Sequence, residues 1–224
     1  KEAIITKLKR DNGLSYRQEE VIVSCGSKHS LFNVAEALFE SGDEVIVPAP
    51  YWVTYTEQIR LVDACPVIVE TREEEGFHVT RRLVESAITA RTKAVLLNSP
   101  CNPTGAVILR EELEAIAALA IERDLLLISD EAYESLTYDG RAHVSVASLD
   151  EEIKRRTILV NTVSKAYAMT GWRIGYAAGP AELIKAMSAI QSQVTSNPTS
   201  IAQKAALAAL LGPQDLVLAM KAEF

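Results

Sequence analysis

Histidine and cysteine are scarce in this chain, with three of each in 224 residues. Cys25, Cys65 and Cys101 are odd in number and show no CxxC spacing, which removes a disulfide framework and a zinc site and implies reduced thiols in a cytoplasmic protein. No histidine is paired with a cysteine, so no metal-ligand set can be read from the sequence. No apolar run approaches the length of a membrane span and no secretory leader is legible, so a membrane is not expected as a partner. The net charge is −7 and the basic residues are scattered, which argues against nucleic acid.

What the chain does have is material for a core. It is 48% hydrophobic and 24% charged, enough to bury one sizeable domain. There is no repeat, low-complexity stretch or linker, and the run Arg72-Glu73-Glu74-Glu75-Gly76 reads as a solvated turn. Strands are expected near 20–24, 44–48, 65–70, 93–98, 125–130, 157–161 and 173–178. Helices are expected near 28–40, 52–62, 80–89, 110–123, 180–195 and 198–211. Such alternation predicts an α/β fold of three layers, with a mainly parallel seven-stranded sheet covered by helices on both faces.

Four segments carry chemistry. In Ser164-Lys165-Ala166-Tyr167-Ala168-Met169-Thr170-Gly171-Trp172-Arg173, one lysine sits between a strand and a glycine-broken turn, with the hydroxyls of Thr162 and Ser164 upstream and a guanidinium downstream. An amine able to form an imine, beside hydroxyls and a cation able to hold a phosphate, suits pyridoxal phosphate. Asp130 ends the apolar run Leu125-Leu126-Leu127-Ile128-Ser129, so its carboxylate points to the crevice where α/β sheets bind ligands, and Tyr133 follows three residues later. The strand Lys93–Leu97 runs into Asn98-Ser99-Pro100-Cys101-Asn102-Pro103-Thr104-Gly105, a loop that projects Asn102 from a strand end. Val21-Ile22-Val23-Ser24-Cys25-Gly26-Ser27-Lys28-His29 reads as a strand entering a helix, whose first-turn N–H groups at Gly26, Ser27 and Lys28 suit an anion. His29 is expected on the surface of that helix.

Asn102-Pro103-Thr104-Gly105, Asp130-Glu131-Ala132-Tyr133 and Ser164-Lys165 with Gly171-Trp172-Arg173-Ile174-Gly175 together resemble the fold-type I pyridoxal-phosphate enzymes of the class I/II aminotransferase family, along essentially the whole chain. Within it, the likeness is to the bacterial aspartate aminotransferases. The resemblance implies that Lys165 forms an aldimine with pyridoxal 5′-phosphate and then moves a proton between the substrate α-carbon and the cofactor. It implies that Lys165 is buried among cations that favour its neutral form. Asp130 resembles the carboxylate that pairs with the pyridine nitrogen, and Asn102 and Tyr133 the residues that hydrogen-bond the 3-oxygen. Trp52, in Pro50-Tyr51-Trp52, resembles the aromatic that stacks on the ring beside the substrate carboxylate. Gly26, Ser27, Lys28, Thr162, Ser164 and Arg173 resemble the phosphate cup, and Lys28 a residue that reads a substrate's distal carboxylate.

The same resemblance implies an antiparallel last strand, a homodimer, and transamination between aspartate or glutamate and a 2-oxo acid. Two segments of the family are not matched here: an N-terminal arm and a small domain that binds the α-carboxylate. Residues 1–224 are therefore expected to be the large, cofactor-binding domain, truncated at both ends. Two other readings stay open: a cofactor-binding or structural module without turnover, and β-elimination or decarboxylation on the same scaffold.

Overall fold

The computed structural model describes residues 1–224. Seven strands form one sheet: β1 (Val21–Ser24), β2 (Glu44–Ala49), β3 (Cys65–Glu70), β4 (Thr92–Asn98), β5 (Leu126–Asp130), β6 (Thr157–Thr162) and β7 (Gly175–Ala178). Their order is β1-β7-β6-β5-β4-β2-β3. All pairings are parallel except those of β7, which is antiparallel to both β1 and β6. The strands lie where the apolar runs and turn residues put them, to within two residues at each end.

Nine helices accompany the sheet: α1 (Glu2–Asn12), α2 (Ser27–Leu38), α3 (Thr54–Leu61), α4 (Arg81–Glu85), α5 (Arg110–Glu122), α6 (Glu151–Arg156), α7 (Ala181–Val194), α8 (Ser200–Leu211) and α9 (Asp215–Glu223). Alternation along the strands divides the core. Val45, Val47, Ala94, Leu96, Ile128, Ile158 and Val160 face α2, α3 and α7, while Ile46, Val95, Leu97 and Leu127 face α4, α5 and α6. A third cluster joins the Ala3, Ile4 and Leu8 stripe of α1 and Ala202, Ala206 and Leu210 of α8 to Leu159 and Tyr176. The result is the three-layer arrangement that the alternation predicts.

α1 and α9 lie outside the six helical ranges expected, and two further helices differ. The helix predicted over 80–89 stops at Glu85. Thr89 turns away from it, accepting no helical geometry because its N–H bonds Thr92 Oγ1 (2.9 Å) and its hydroxyl bonds Glu44 Oε2 (2.5 Å). The six-residue α6 was not foreseen, being too short for a periodic signal; the Asp150 side chain caps it at the Ile153 N–H. No single helix is long and apolar enough to cross a membrane, and α8 and α9 are bent by 88° to one another.

The sheet positions the candidate residues. Because β7 runs against its neighbours, its first residue, Gly175, pairs with the last residues of β1 and β6, Ser24 and Thr162. Asn98 pairs with Asp130 at the same edge. A side chain on Gly175 would place its Cβ 2.2 Å from the Ser27 nitrogen and 2.3 Å from the Gly26 carbonyl carbon. The glycine thus admits the turn into α2 directly over the sheet edge. Gly175→Ala should push that turn outward and lower stability by about 1–3 kcal/mol in chemical denaturation, as overpacking does; an unchanged midpoint would show that the approach is not required.

Candidate active site

Five strand ends converge on one edge. They are the turn after β1 (Cys25–Lys28), the loop after β2 (Pro50–Val53), the loop after β4 (Ser99–Gly105), the segment after β5 (Glu131–Tyr133) and the segment after β6 (Val163–Arg173). This carboxyl edge is where parallel α/β sheets place ligands.

Asp130 is the deepest of the candidates, 2% exposed. Its Oδ2 accepts from the Tyr55 hydroxyl (2.8 Å) and its Oδ1 from the Ala132 N–H (3.1 Å). Burial pushes the carboxyl up to about 6, while the hydrogen bonds from Tyr55 and Ala132 hold it down from going further. Tyr55, buried on α3, also meets Trp52 edge-on with ring centroids 5.6 Å apart. Lys28 Nζ stands 4.8 Å from the centroid of Trp52, so two of the three residues expected to meet the substrate, Trp52, Lys28 and Asn102, are brought together.

Asn98 orders the neighbouring loop. Its Nδ2 donates to the Asp130 carbonyl (3.0 Å) and its Oδ1 accepts from the Asn102 N–H (2.7 Å). Asn102 and Tyr133, both half-buried, then line one cavity of about 360 Å³. Tyr133 also borders a larger space of about 550 Å³ with Ser164, Lys165 and, from α9, Val217, Met220 and Phe224. The Lys165 ammonium lies 5.2 Å from the Tyr133 ring centroid.

Lys165 departs from expectation in one respect: it is exposed, not buried. Ser164 is the last buried residue before the chain turns outward, with Ala168 at φ 52°, and the amine stands above the edge rather than within it. Thr162 departs as well. It is 4% exposed and its hydroxyl donates inward, to the Ile174 carbonyl (2.8 Å), so it secures the turn, with Ser164 Oγ 2.8 Å from the same hydroxyl.

The anion cradle is the most explicit geometry. Gly26, buried at φ 88° and ψ 161°, precedes α2, and the N–H groups of Ser27 and Lys28 have no helical acceptor. Arg173 adopts the left-handed conformation (φ 54°) and donates from Nη1 to the Thr170 carbonyl (2.8 Å). Its Nη2 comes over Gly26 so closely that a Cβ there would lie 2.3 Å away. A guanidinium therefore lies over the turn that carries two free helix N–H groups and the Ser27 hydroxyl, donors of the kind a phosphate needs. His29 is not on the helix surface as expected: its Nδ1 accepts from the Cys25 N–H (3.3 Å), its ring stacks with Phe32, and burial lowers its pKa.

With that arrangement described, the comparison with known proteins decides the family. The model of the family described as aminotransferase class I and II matches residues 1–223. This chain belongs to that family. It is 52% identical over 224 residues to an aspartate aminotransferase of Geobacillus stearothermophilus, covering 100% of this chain and 57% of the relative. It is 52% identical over 210 residues to an aspartate/prephenate aminotransferase of Thermus thermophilus, covering 94% of this chain and 54% of that one. A Thermus thermophilus aspartate aminotransferase solved with maleate superposes with a TM-score of 0.93 at 50% identity, covering 99% of this chain and 57% of that structure. The chain thus spans little more than half the length of these relatives. Class I and II aminotransferases use pyridoxal phosphate, and the cradle at Gly26, the buried acid Asp130 and the amine of Lys165 fit its three chemically distinct ends.

Tyr55 and Asn98 were missed from the sequence. Tyr55 sits three residues beyond Trp52, in the first turn of α3, which is a usable signal; Asn98 carried none beyond its place at a strand end. Also unforeseen is a group of three ligand-type residues, Glu131, Glu134 and His143, whose ligand atoms lie within 4.8 Å of one another. Their oxygens already accept from protein donors, Lys7 among them, so the group is a hydrogen-bonded network.

Asp130 sets a pH dependence. Its folded value of about 6 lies above the ordinary 3.8, so the folded chain binds this proton more tightly than the unfolded one. The stability it contributes is full below the ordinary value and is lost as pH rises through about 6. Asp130→Asn stays neutral throughout. In cofactor-free protein the wild type should therefore lose on the order of 2–3 kcal/mol relative to that variant between about pH 4 and about pH 7. Urea unfolding of both at the two pH values measures this, and a constant difference would contradict it.

Proposed function

We propose that residues 1–224 form the cofactor-binding large domain of a pyridoxal-phosphate transaminase that moves the amino group of aspartate or glutamate to a 2-oxo acid. The observation that carries this reading is the meeting at one sheet edge of an amine (Lys165), a buried carboxylate (Asp130) and a guanidinium-covered glycine turn (Gly26 and Arg173). Bound there, the cofactor would supply a ring able to stabilise negative charge at the substrate α-carbon.

The chain's own groups have distinct tasks. Ser27, Lys28 N–H, Ser164 and Arg173 bind the phosphate, with Thr162 holding Ser164 from behind. Asp130 in its ionised form accepts from the pyridine N–H and keeps that nitrogen protonated, and the Tyr55 hydroxyl fixes the carboxylate's second oxygen. Asn102 and Tyr133 donate toward the ring's 3-oxygen, and Trp52 covers a ring face. Lys165 Nζ is the amine that would hold the cofactor and, when free, would move a proton at the substrate α-carbon. β-Elimination or decarboxylation would use the same set, so the relatives' names favour transamination. A homodimer in the cytoplasm is consistent with the family likeness and with three free cysteines.

Lys165→Ala should abolish fixation of the cofactor by borohydride, followed by mass spectrometry of the labelled peptide. Label on a different lysine in the wild type would overturn the assignment.

The dicarboxylic preference rests on Lys28, the cation over Trp52, and maleate, named with the Thermus thermophilus structure, is itself a dicarboxylate. Lys28→Ala should raise KM for aspartate about three- to tenfold and leave alanine or aromatic donors nearly unchanged, the range for an exposed charge pair. Equal losses for acidic and neutral donors would assign Lys28 to the phosphate or the fold.

A further inference from the structure

The segment that carries Asp130 and Tyr133 also carries two further acids, Glu131 and Glu134, which point away from the site. Glu131 is fully buried and accepts from Ser129 Oγ (2.9 Å) and Ser145 Oγ (2.7 Å), with His143 Nε2 at 3.1 Å. Glu134 is 91% buried and is the junction of three elements. It pairs with Lys7 of α1, itself 3% exposed; its Oε2 accepts from Asn12 Nδ2 (2.8 Å); and its Oε1 accepts from Asn161 Nδ2 (2.9 Å) on β6.

Asn161 passes the connection on. Its Oδ1 accepts from the N–H of Thr162 (2.7 Å), and Thr162 Oγ1 in turn accepts from the Ser164 N–H (3.1 Å). Hydrogen bonds therefore lead from the residue after Tyr133, through Asn161 and Thr162, to the backbone N–H of Ser164, the residue whose hydroxyl is proposed to meet the phosphate. A buried charge in such a run fixes geometry because every partner it loses leaves an uncompensated group in the interior.

We propose that Glu134 is a positioning residue that couples the two ends of the cofactor site, holding Tyr133 at the ring end in register with Ser164 at the phosphate end through Asn161 and Thr162. The inference rests on the proposed cofactor reading of this edge. It gives α1 a task besides covering the core: Lys7 neutralises the acid that makes the coupling, so docking of the first helix and assembly of the site are one event.

The test uses the full chain and four proteins: wild type, Glu134→Gln, Asn161→Ser and, as a control, Glu44→Gln. Glu44 is a buried carboxylate bonded to Thr89 and Arg91, at the start of β2 and far from the carboxyl edge. Three readings are taken: thermal midpoint, the affinity of cofactor-free protein for inorganic phosphate, and the pH midpoint of the visible absorbance band in the cofactor-loaded form. All three substitutions should lower the thermal midpoint. Only Glu134→Gln and Asn161→Ser should also weaken phosphate, on the order of tenfold, and move the absorbance midpoint, because only they release the two ends from one another. Asn161→Ser leaves the Lys7 pair whole and so reports the coupling even if Glu134→Gln does not fold. If both site variants change the thermal midpoint alone, as Glu44→Gln does, the network is structural and the inference is overturned. If the wild type takes up no cofactor, the functional reading fails first and takes the inference with it.

Discussion

A carboxylate at the end of a central strand, with helices above and below, is costly to ionise, and burial pushes Asp130 upward. The chain answers with donors from two directions: Tyr55 reaches down from α3 and Ala132 N–H turns back from the following segment. Those two bonds have wide consequences. Tyr55 can reach Asp130 only if α3 lies across the sheet edge, and that placement brings Trp52 to the same edge and Lys28 over its ring. Ala132 can turn back only if the chain bends sharply after β5, which directs Tyr133 toward Lys165 and Glu134 toward α1. An acid left at about 6 by its protein neighbours is poised to be fully ionised by one further cation, which a protonated ring nitrogen would be.

The second constraint is the direction of β7. By running against β1 and β6, it starts where they end, and Gly175 takes the position between Ser24 and Thr162. The turn into α2 can then settle over the edge, with Arg173 arriving two residues earlier over Gly26. Two glycines are needed for different reasons: Gly175 for close approach of backbone, Gly26 for a conformation with φ 88° that side chains disfavour. Arg173 reaches that place at φ 54°, a conformation unusual for a residue with a side chain, held by its bond to the Thr170 carbonyl.

Strands were legible because each is a run of apolar residues and most are closed by Asp, Asn, Gly or Pro, and the strand ends therefore pointed to Asp130, Thr162 and the Gly26 turn. Side chains whose role is to bond other side chains were not. Nothing in the sequence around Glu134 says that Lys7, 127 residues earlier, will be its partner. Tyr55 is core by burial; its hydroxyl matters only because the fold brings Asp130 beneath it. Lys165 was legible as a position but not as an environment, since its exposure depends on how the segment after Ser164 leaves the sheet. Thr162 shows the reverse error: a hydroxyl in the right place, with its proton committed to Ile174 by an antiparallel neighbour.

The elements proposed to hold the cofactor and those proposed to choose the substrate are separable in this chain. The acid, the cradle and the amine arise from strand ends and glycine turns, which the sheet itself positions. The contact between Lys28 and Trp52 joins an exposed residue in the first turn of α2 to a half-buried one in the loop after β2; Trp52 leans on buried Tyr55, but Lys28 stands in solvent. Selectivity built that way can change with one or two substitutions while the buried acid and its donors stay as they are. Relatives 52% identical to this chain carry the names of aspartate and of aspartate/prephenate aminotransferases, a spread in amino-group partner across nearly constant scaffolds. The physical reason lies in the burial gradient: Asp130 at 2% exposure cannot be altered without an energetic penalty in the core, whereas Lys28 in solvent can.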